Sequence, residues 1–487
     1  TLHIYLAARV AWLIFPLFII YLAIAHRDQF RRAWRPALVG LGMAGVLVVP
    51  MFTFLQRNPQ AQTRLTMLDG PLQQLSSGNL RPIWDNASEA LLAFVRPGYG
   101  DMFLAYNIPG RPVFDVVTAV FFLVGLGVAV WRWKRPSYAL LLLWFFVGIT
   151  PSLITGATAN TTRNLAALPA AYILPVVGFV ALIEWIQWRS STQKQAVWLG
   201  AAAVWLLFVA GVTVNDYFVR WGTAVDVRDA YQHTLIEEID YLQQKAIAGP
   251  VVMSSVYPGP VHDPSIYYVM FGGRPIATRW VDARYAMILP AQSVAHVVVP
   301  ASTPLHPVFA PLLTPLETVA LRDDDLNPGF TFYQLEPESG TAWYDASLLA
   351  DFDGAVTLQY AGWAASEYAP GDVAELLTVW QVHDPNRIGP IVPPSNTTDV
   401  VMFTHVLGAA GEILTQRDAL DAPSWSWQSG DLVLQIHQMA LPIDITAGSY
   451  QTMVGIYDRA SGDRRPVVDS EGNIIDTAAA VVPLRVK

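Results

Sequence analysis

Residues 113–155 read VFDVVTAVFFLVGLGVAVWRWKRPSYALLLLWFFVGITPSLIT. Two apolar runs, 113–131 and 138–155, flank a turn that carries Arg132, Lys134 and Arg135. A helix needs about 20 residues to cross the hydrocarbon core of a bilayer, so each run is of crossing length. Cations between two such runs mark the cytoplasmic end. Trp131 and Trp133 sit where an interfacial belt belongs. The internal Gly and Pro fit as well, because neighbouring helices can satisfy the backbone groups they free.

Four more runs share this character, at 4–25, 36–55, 165–183 and 196–214, which makes six expected spans. Arg27, Arg31, Arg32 and Arg35 follow the first run, and Arg189 and Lys194 follow the fifth. Trp185 and Trp188 sit beside that last turn. With three basic turns on the cytoplasmic side, the loops 56–112 and 156–164 and everything after 215 fall outside the cell. The loop 56–112 is too long for a plain connection and contains an amphipathic stretch at 84–95. The first run has no basic leader and is followed by further spans, so it does not read as a signal peptide. The chain starts at Thr1 rather than Met and reads as the later part of a longer protein.

The composition agrees. Of 487 residues, 53% are hydrophobic and only 14% charged, with a mean hydropathy of +0.35; soluble domains carry about 25% charged residues. This excludes a disordered chain, a collagen and a coiled coil, and argues against an ordinary soluble enzyme. Cysteine is absent, so disulfides, cysteine-ligated zinc and a cysteine nucleophile are excluded. Residues 1–215 hold 16 Lys and Arg against 7 Asp and Glu, leaving 14 against 32 for residues 216–487. A basic apolar half and an acidic half read as a membrane region followed by a water-facing one. The acidic half also argues against nucleic acid as a partner.

Beyond 215, residues 228–246 place Leu235, Ile236, Ile239 and Leu242 on one helical face. VVMSSV (251–256) and HVVVP (296–300) read as buried strands, and DPSIYYVMF as a helix. A small α/β domain is therefore expected over 216–335. From 336 to 487, short β-type runs such as AVTLQYAGW, ELLTVWQV, VVMFTHVL and YQTMVGIYD alternate with turn signals. They predict a C-terminal antiparallel β-sandwich.

Chemistry-bearing motifs are sparse. P-loop, GxGxxG, HExxH and GxSxG patterns are absent, and the nine histidines show no metal-ligand spacing. The loop NIPGRPVFD (107–115) presents Arg111 after a Pro-Gly turn at the outer mouth of the third span. An arginine there can hold a phosphate through paired hydrogen bonds, or simply be solvated. Arg163 and Asn164 precede the fifth span on the same side. Arg9 lies within the first span, where an ionisable residue suggests function unless it snorkels to the headgroups. Together Arg9, Arg96, Arg111 and Arg163 are candidates for an outward-facing site for a lipid phosphate, with Asp101, Asn107 and Asn164 as the acceptor region. Asp69, Asp85, Glu89, Asp101 and Asp115 are the outer carboxylates; Asp101 follows Gly-Tyr-Gly and also suits a turn.

In the acidic half, Asp323 to Asp325 and the pair Asp351 and Asp353 can offer oxygens to calcium, or form solvated turns. Asp458 to Asp463 reads as a hairpin turn. Trp380, Trp425 and Trp427 can stack on sugars if exposed, whereas strand tryptophans more often pack in a core. Asn86, Asn160 and Asn396 begin N-x-S/T triplets, a pattern with many false positives.

Four segments, IYLAAR (4–9), NIPGRPVFD, RWKRPSYALLLLWFFVG and TRNLAALPAAYILPVVGF, resemble in order and spacing the later part of bacterial GT-C membrane glycosyltransferases, the group of protein mannosyltransferases and aminoarabinose transferases. The resemblance covers residues 1 to about 215; the tail is similar to extracytoplasmic extensions in that group. It implies a plasma-membrane enzyme that moves a sugar from a polyprenyl-phosphate donor to a lipid, glycan or protein acceptor at the outer face. It also implies inverting transfer with an acidic base in the first outer loop. That loop would lie upstream of Thr1, so no residue here takes the catalytic role. No metal ligand or cofactor is assigned, though a divalent metal is compatible with the chemistry. The alternative is a membrane-anchored extracytoplasmic scaffold that binds carbohydrate or protein. A transporter is a third reading, without a convincing repeat between halves.

Overall fold

The computed structural model describes residues 7–58, 70–155, 160–185, 192–247, 249–272, 276–291, 294–335, 340, 348–388 and 400–487. The chain divides into two compact units, Thr1–Val227 and Arg228–Lys487.

The first unit is helical. Its main helices are α1 (Ile14–Ala25), α2 (Arg27–Arg57), α3 (Gly70–Ser76), α4 (Arg81–Leu92), α5 (Val116–Trp131), α6 (Pro136–Thr155), α7 (Leu168–Trp185) and α8 (Thr192–Val214). Among the described residues four segments are long and apolar enough to cross a membrane: Arg27–Arg57, Pro136–Ile154, Leu165–Trp185 and Ala196–Trp221. Val10–Ala25 and Val116–Trp131 are apolar but shorter. Most of the amphipathic stretch expected at 84–95 falls on helix α4. The turn carrying Arg189, and Asp69, lie outside the described residues.

Packing in this unit depends on missing side chains. A Cβ added to Gly125 of α5 would lie 1.9 Å from the Leu174 carbonyl oxygen, and one on Gly178 of α7 would lie 1.9 Å from that of Phe121. The backbones of α5 and α7 can meet only because both positions are glycine, the usual device where hydrophobic driving force between helices is absent. Beside this crossing Phe94, Phe114, Phe122 and Phe145 form one buried cluster, with ring centroids 5.2–6.2 Å apart. Phe94 belongs to the segment after α4, whose backbone is fastened by Val113 N to Ala93 O and Phe114 N to Phe94 O, both 3.0 Å. By contrast α2 buries none of its residues. Its apolar side chains, such as Leu38, Val46 and Phe52, are exposed along its length.

Tyr21 near the end of α1 donates to the carbonyls of Trp133 (3.0 Å) and Lys134 (2.9 Å), and His26 Nε2 lies 2.7 Å from the Lys134 oxygen. These contacts bring two of the three basic turns to the same end of the unit.

The second unit is rich in antiparallel β-structure. It begins with α9 (His233–Gln244) and contains α10 (Asp263–Met270). The expected helix over 228–246 is broken at Gln232, which takes a left-handed conformation with φ +58°. The first sheet joins β1 (Val251–Ser254), β2 (Thr278–Val281), β4 (Ala295–Pro300), β5 (Leu313–Ala320) and β6 (Gly329–Leu335) in the order β2-β1-β4-β6-β5. β1 runs parallel to β2 and β4; β6 runs antiparallel to β4 and β5. Leu235, Ile239 and Leu242 of α9 pack against Val251, Met253, Val298, Phe330 and Phe332 of this sheet.

Seven antiparallel strands form the second sheet, including β3 (Ala286–Leu289), β8 (Val356–Trp363), β9 (Val373–Val382) and β12 (Leu432–Ala440). The third has β10 (Val400–Leu407), β11 (Ile413–Ala419), β13 (Gly448–Asp458) and β16 (Ala479–Val486). Leu358, Val379 and Leu434 of the second sheet share one core with Met402, Val454 and Ile456 of the third. β3 lies between β2 and β4 in sequence but pairs with β12, so the expected α/β stretch contributes an edge strand to the large sheet. Arg279 of β2 reinforces this tie, with Nε and Nη2 donating to Asp431 at 2.5 and 3.2 Å, both residues buried.

Arginines engage three of the five acidic residues at 323–325, 351 and 353, and Asp351 accepts from Gly354 N. Arg228 meets Asp325 at 2.5 Å and Asp324 at 3.0 Å, and Arg387 meets Asp353 at 2.9 Å. Among the described residues no group of three or more His, Asp and Glu is placed to hold a metal ion. Asp458 opens a tight turn, its Oδ1 accepting from Ala460 N and Ser461 N at 2.9 Å. Trp380 and Trp427 are core residues, which removes them as sugar platforms.

Two buried groups make the second unit sensitive to pH in opposite ways. Burial pushes the Glu238 carboxyl well above the usual range, helped by nearby Asp263. Its contribution is therefore whole at low pH and is lost as pH rises. Burial pulls His437 down to about 3, with Arg417 adding to the effect. Its contribution is whole above about pH 6.5 and is lost toward pH 3, at up to about 1.4 kcal/mol per pH unit. Glu238→Gln should raise the melting temperature at pH 8 and leave it nearly unchanged at about pH 3, where the carboxyl is already largely neutral in the folded and unfolded chain alike. An equal gain at both pH values would contradict this account.

Gly125→Leu and Gly178→Leu should each destabilise the first unit by about 1–3 kcal/mol or more through overpacking. Gly127→Leu, on the open face of α5 with nothing within 4 Å of its Cβ position, should be silent in the same detergent melting assay.

Candidate functional site

The site grows from two interlocked loops. Gly98 N donates to the Gly110 carbonyl at 2.8 Å and Gly110 N to that of Asp101 at 3.1 Å. Both glycines have positive φ, and a Cβ on Gly100 would lie 1.8 Å from the Arg111 oxygen. Asn107 Nδ2 donates to that same Arg111 oxygen at 2.9 Å. The GYGD and NIPGR segments therefore hold the backbone of Arg111 from two sides.

Its side chain is held by the end of the last long helix. α8 runs on into a π-helical turn, Asn215–Trp221, a distortion common at functional sites. Arg111 Nε donates to Asp216 Oδ2 at 2.7 Å, and Arg220 Nη1 donates to Asp216 Oδ1 at 3.0 Å. The Arg111 guanidinium lies over the Tyr217 ring, 5.1 Å from its centroid, and the Tyr217 hydroxyl is 3.3 Å from Asn107 Oδ1. Two guanidinium groups thus share one carboxylate, leaving one positive charge in excess.

Arg111 and Asn107 line a cavity of about 410 Å³. Thr161, Thr162, Tyr172 and Tyr217 add hydroxyls, while Pro175, Val176, Leu206 and Val209 supply apolar wall. Asp115 also borders it but is engaged as the N-cap of α5. It accepts from Val117 N (2.9 Å), Thr118 N (3.0 Å) and the Thr118 hydroxyl (2.6 Å). Trp205 Nε1 donates to Thr118 Oγ1 at 3.0 Å, joining α8 to α5.

The expected residues scatter around this cavity. Asn107 and Arg111 line it. Asp101 lies behind the wall, fully buried, accepting from Thr161 N (2.7 Å), Thr162 N (3.0 Å), the Thr162 hydroxyl (2.8 Å) and the Thr161 hydroxyl. It is a strut joining the 98–111 loop to the 160–163 turn rather than an exposed turn residue. Asn164 is buried, accepts from Ser152 Oγ at 2.7 Å, and leaves Nδ2 without a hydrogen-bond partner among the described residues. Arg163 ends the turn Asn160–Arg163, and Arg96 lies over the Tyr99 ring at 5.1 Å; neither lines the cavity. Arg9 falls on the 3-10 segment Ala7–Leu13, its side chain outside the described residues.

Asp216, Tyr217, Arg220 and Tyr172 were not foreseen. The available signal was the stretch NDYFVRW directly after an apolar run, with a carboxylate and an arginine four residues apart. The chain matches no protein-family model and no curated protein sequence.

Asp101→Ala should strand four part-buried donors, lower the melting temperature by the equivalent of about 1–3 kcal/mol, and open the 101–110 loop to limited proteolysis. Asp85→Ala, which removes only an exposed pair with Arg81, should do neither.

Proposed function

We propose that this chain is part of a bacterial plasma-membrane glycosyltransferase of the GT-C kind, and that the Arg111 cavity receives the phosphate of a polyprenyl-phosphate sugar. In this reading six helices cross the membrane, the shorter Val10–Ala25 and Val116–Trp131 included. Residues 216–487 lie on the extracytoplasmic side, and the second and third sheets form a β-sandwich. Sugar passes to a lipid, glycan or protein acceptor at the outer face.

One observation carries the proposal: a cavity whose polar end presents Arg111, its carboxylate partner Asp216 shared with a second arginine, and whose far wall is largely apolar helix. A prenyl phosphate has the same division. The incoming phosphate would share or displace Asp216 as the partner of Arg111, with Tyr217 beneath the guanidinium keeping it in place. Charge developing on the departing phosphate would be stabilised by arginine donors already oriented by their surroundings. Asp115 is committed to its cap, so no cavity carboxylate is assigned as base; the family resemblance puts that group in an earlier loop.

The alternative, an anchored binding scaffold, draws on a second unit with its own large core. Burial of Trp380 and Trp427 weakens its carbohydrate form.

Arg111→Ala in the purified full chain should weaken binding of a polyprenyl phosphate about tenfold or more while leaving the parent alcohol unaffected. Asp216→Asn, which removes the internal competitor, should tighten phosphate binding if the fold is kept. Unchanged phosphate binding in Arg111→Ala would overturn the assignment.

A further inference from the structure

A second amphipathic site occupies the other end of the helical unit. α1 and α6 leave a groove of about 510 Å³ between them. Leu17, Ile20 and Ile24 form one wall, and Ala139, Leu142 and Phe146 the other. These positions recur every three or four residues on both helices, so the groove runs along the helix axes. Its lining is almost wholly apolar. Ile20 is 54% and Ile24 77% exposed, so the trough is open.

One end of the groove is built differently. Tyr21 and His26 fasten the carbonyls of Trp133 and Lys134, which pins the turn 132–135 over that end. The pinned turn carries Arg132, Lys134 and Arg135, and Arg27 directly follows His26, against Asp28 as the nearby acid in sequence. Arg27, Lys134 and Arg135 are exposed. Trp133 borders the groove with half its surface exposed, as a residue at headgroup level would be.

We infer that this groove is a binding site for an anionic glycerophospholipid, with one acyl chain in the trough and the phosphodiester headgroup on the cations of the 132–135 turn and Arg27. Charge complementarity selects the occupant. An apolar trough alone would accept any acyl chain, but a cationic rim fixed above it favours a negative headgroup. The groove shares no lining residue with the Arg111 cavity, and the inference does not depend on the glycosyltransferase reading.

The test is native mass spectrometry of the delipidated full chain in detergent. Phosphatidylglycerol and phosphatidylcholine with identical acyl chains are added separately. Phosphatidylglycerol should bind about tenfold more tightly, with the advantage shrinking as salt is raised. The double variant Lys134→Ala, Arg135→Ala should abolish the preference without touching a buried residue. Ile20→Trp should obstruct the trough and weaken both lipids, and Arg81→Ala should change nothing. Equal binding of the two lipids, or a preference that survives the double variant, would overturn the inference. So would a self-association lost in Ile20→Trp without any lipid preference, which would assign the groove to a second copy of the chain.

Discussion

The ion pair between Arg111 and Asp216 is the contact on which one end of the helical unit turns. It joins a loop before α5 to the turn that ends α8, across 105 residues of sequence. Both side chains are more than four-fifths buried, so each would be costly to leave alone. A pair in such a setting contributes little net stability against apolar packing, yet breaking it by removing one partner is expensive. Its effect is therefore one of placement. Arg111 cannot swing freely, because its backbone is held by Asn107 and Gly98-Gly110 contacts and its guanidinium by Asp216 and Tyr217. Arg220 gives the carboxylate a second cation, so an anion arriving at Arg111 need not leave Asp216 unpaired. In the phosphate-site reading proposed above, that arrangement would let an anion exchange with an internal carboxylate at low cost.

The helical half was legible to the extent that hydropathy decides it. The apolar runs correspond to helices because a bilayer-length apolar segment has few other ways to satisfy its backbone. The strands at 356–363, 373–382, 400–407, 432–440, 448–458 and 479–486 were legible for a related reason: β-branched runs between strong turn signals. The runs TRWV, AMIL, LTPLETVA and ILTQRDA were harder. They are short or carry charges and Pro, and they become strands through the sheets they join: LTPLETVA and ILTQRDA pair with neighbouring strands, whereas β3 pairs with the distant β12. Local pattern does not encode such a partner.

The site divides along the same line. Arg111 and Asn107 were found because a Pro-Gly turn beside a span is a local signal. Asp216 was missed because its meaning lies in a residue 105 positions away. Asp101 shows the reverse. Its sequence context, after Gly-Tyr-Gly, describes a turn correctly. What converts it from a solvated turn residue into a buried hub is the approach of Thr161 and Thr162 from another loop.

The distribution of charge along the helical unit then acquires a physical sense. The basic excess of residues 1–215 is not spread evenly in its consequences. At the end carrying Arg27, Lys134 and Arg135 the cations are exposed and fastened only through their backbone, which suits attraction to a charged surface whose strength varies with salt. At the end carrying Arg111 the cation is largely buried and matched by Asp216, while Asp101 and Asp115 are spent on backbone amides. Solvation differs accordingly. An exposed cation keeps its water and interacts weakly, whereas a desolvated one interacts strongly with whatever anion reaches it. Ends of similar formal charge thus differ in how an anion would meet them, one through solvated, salt-sensitive cations and the other through a desolvated arginine already held in place.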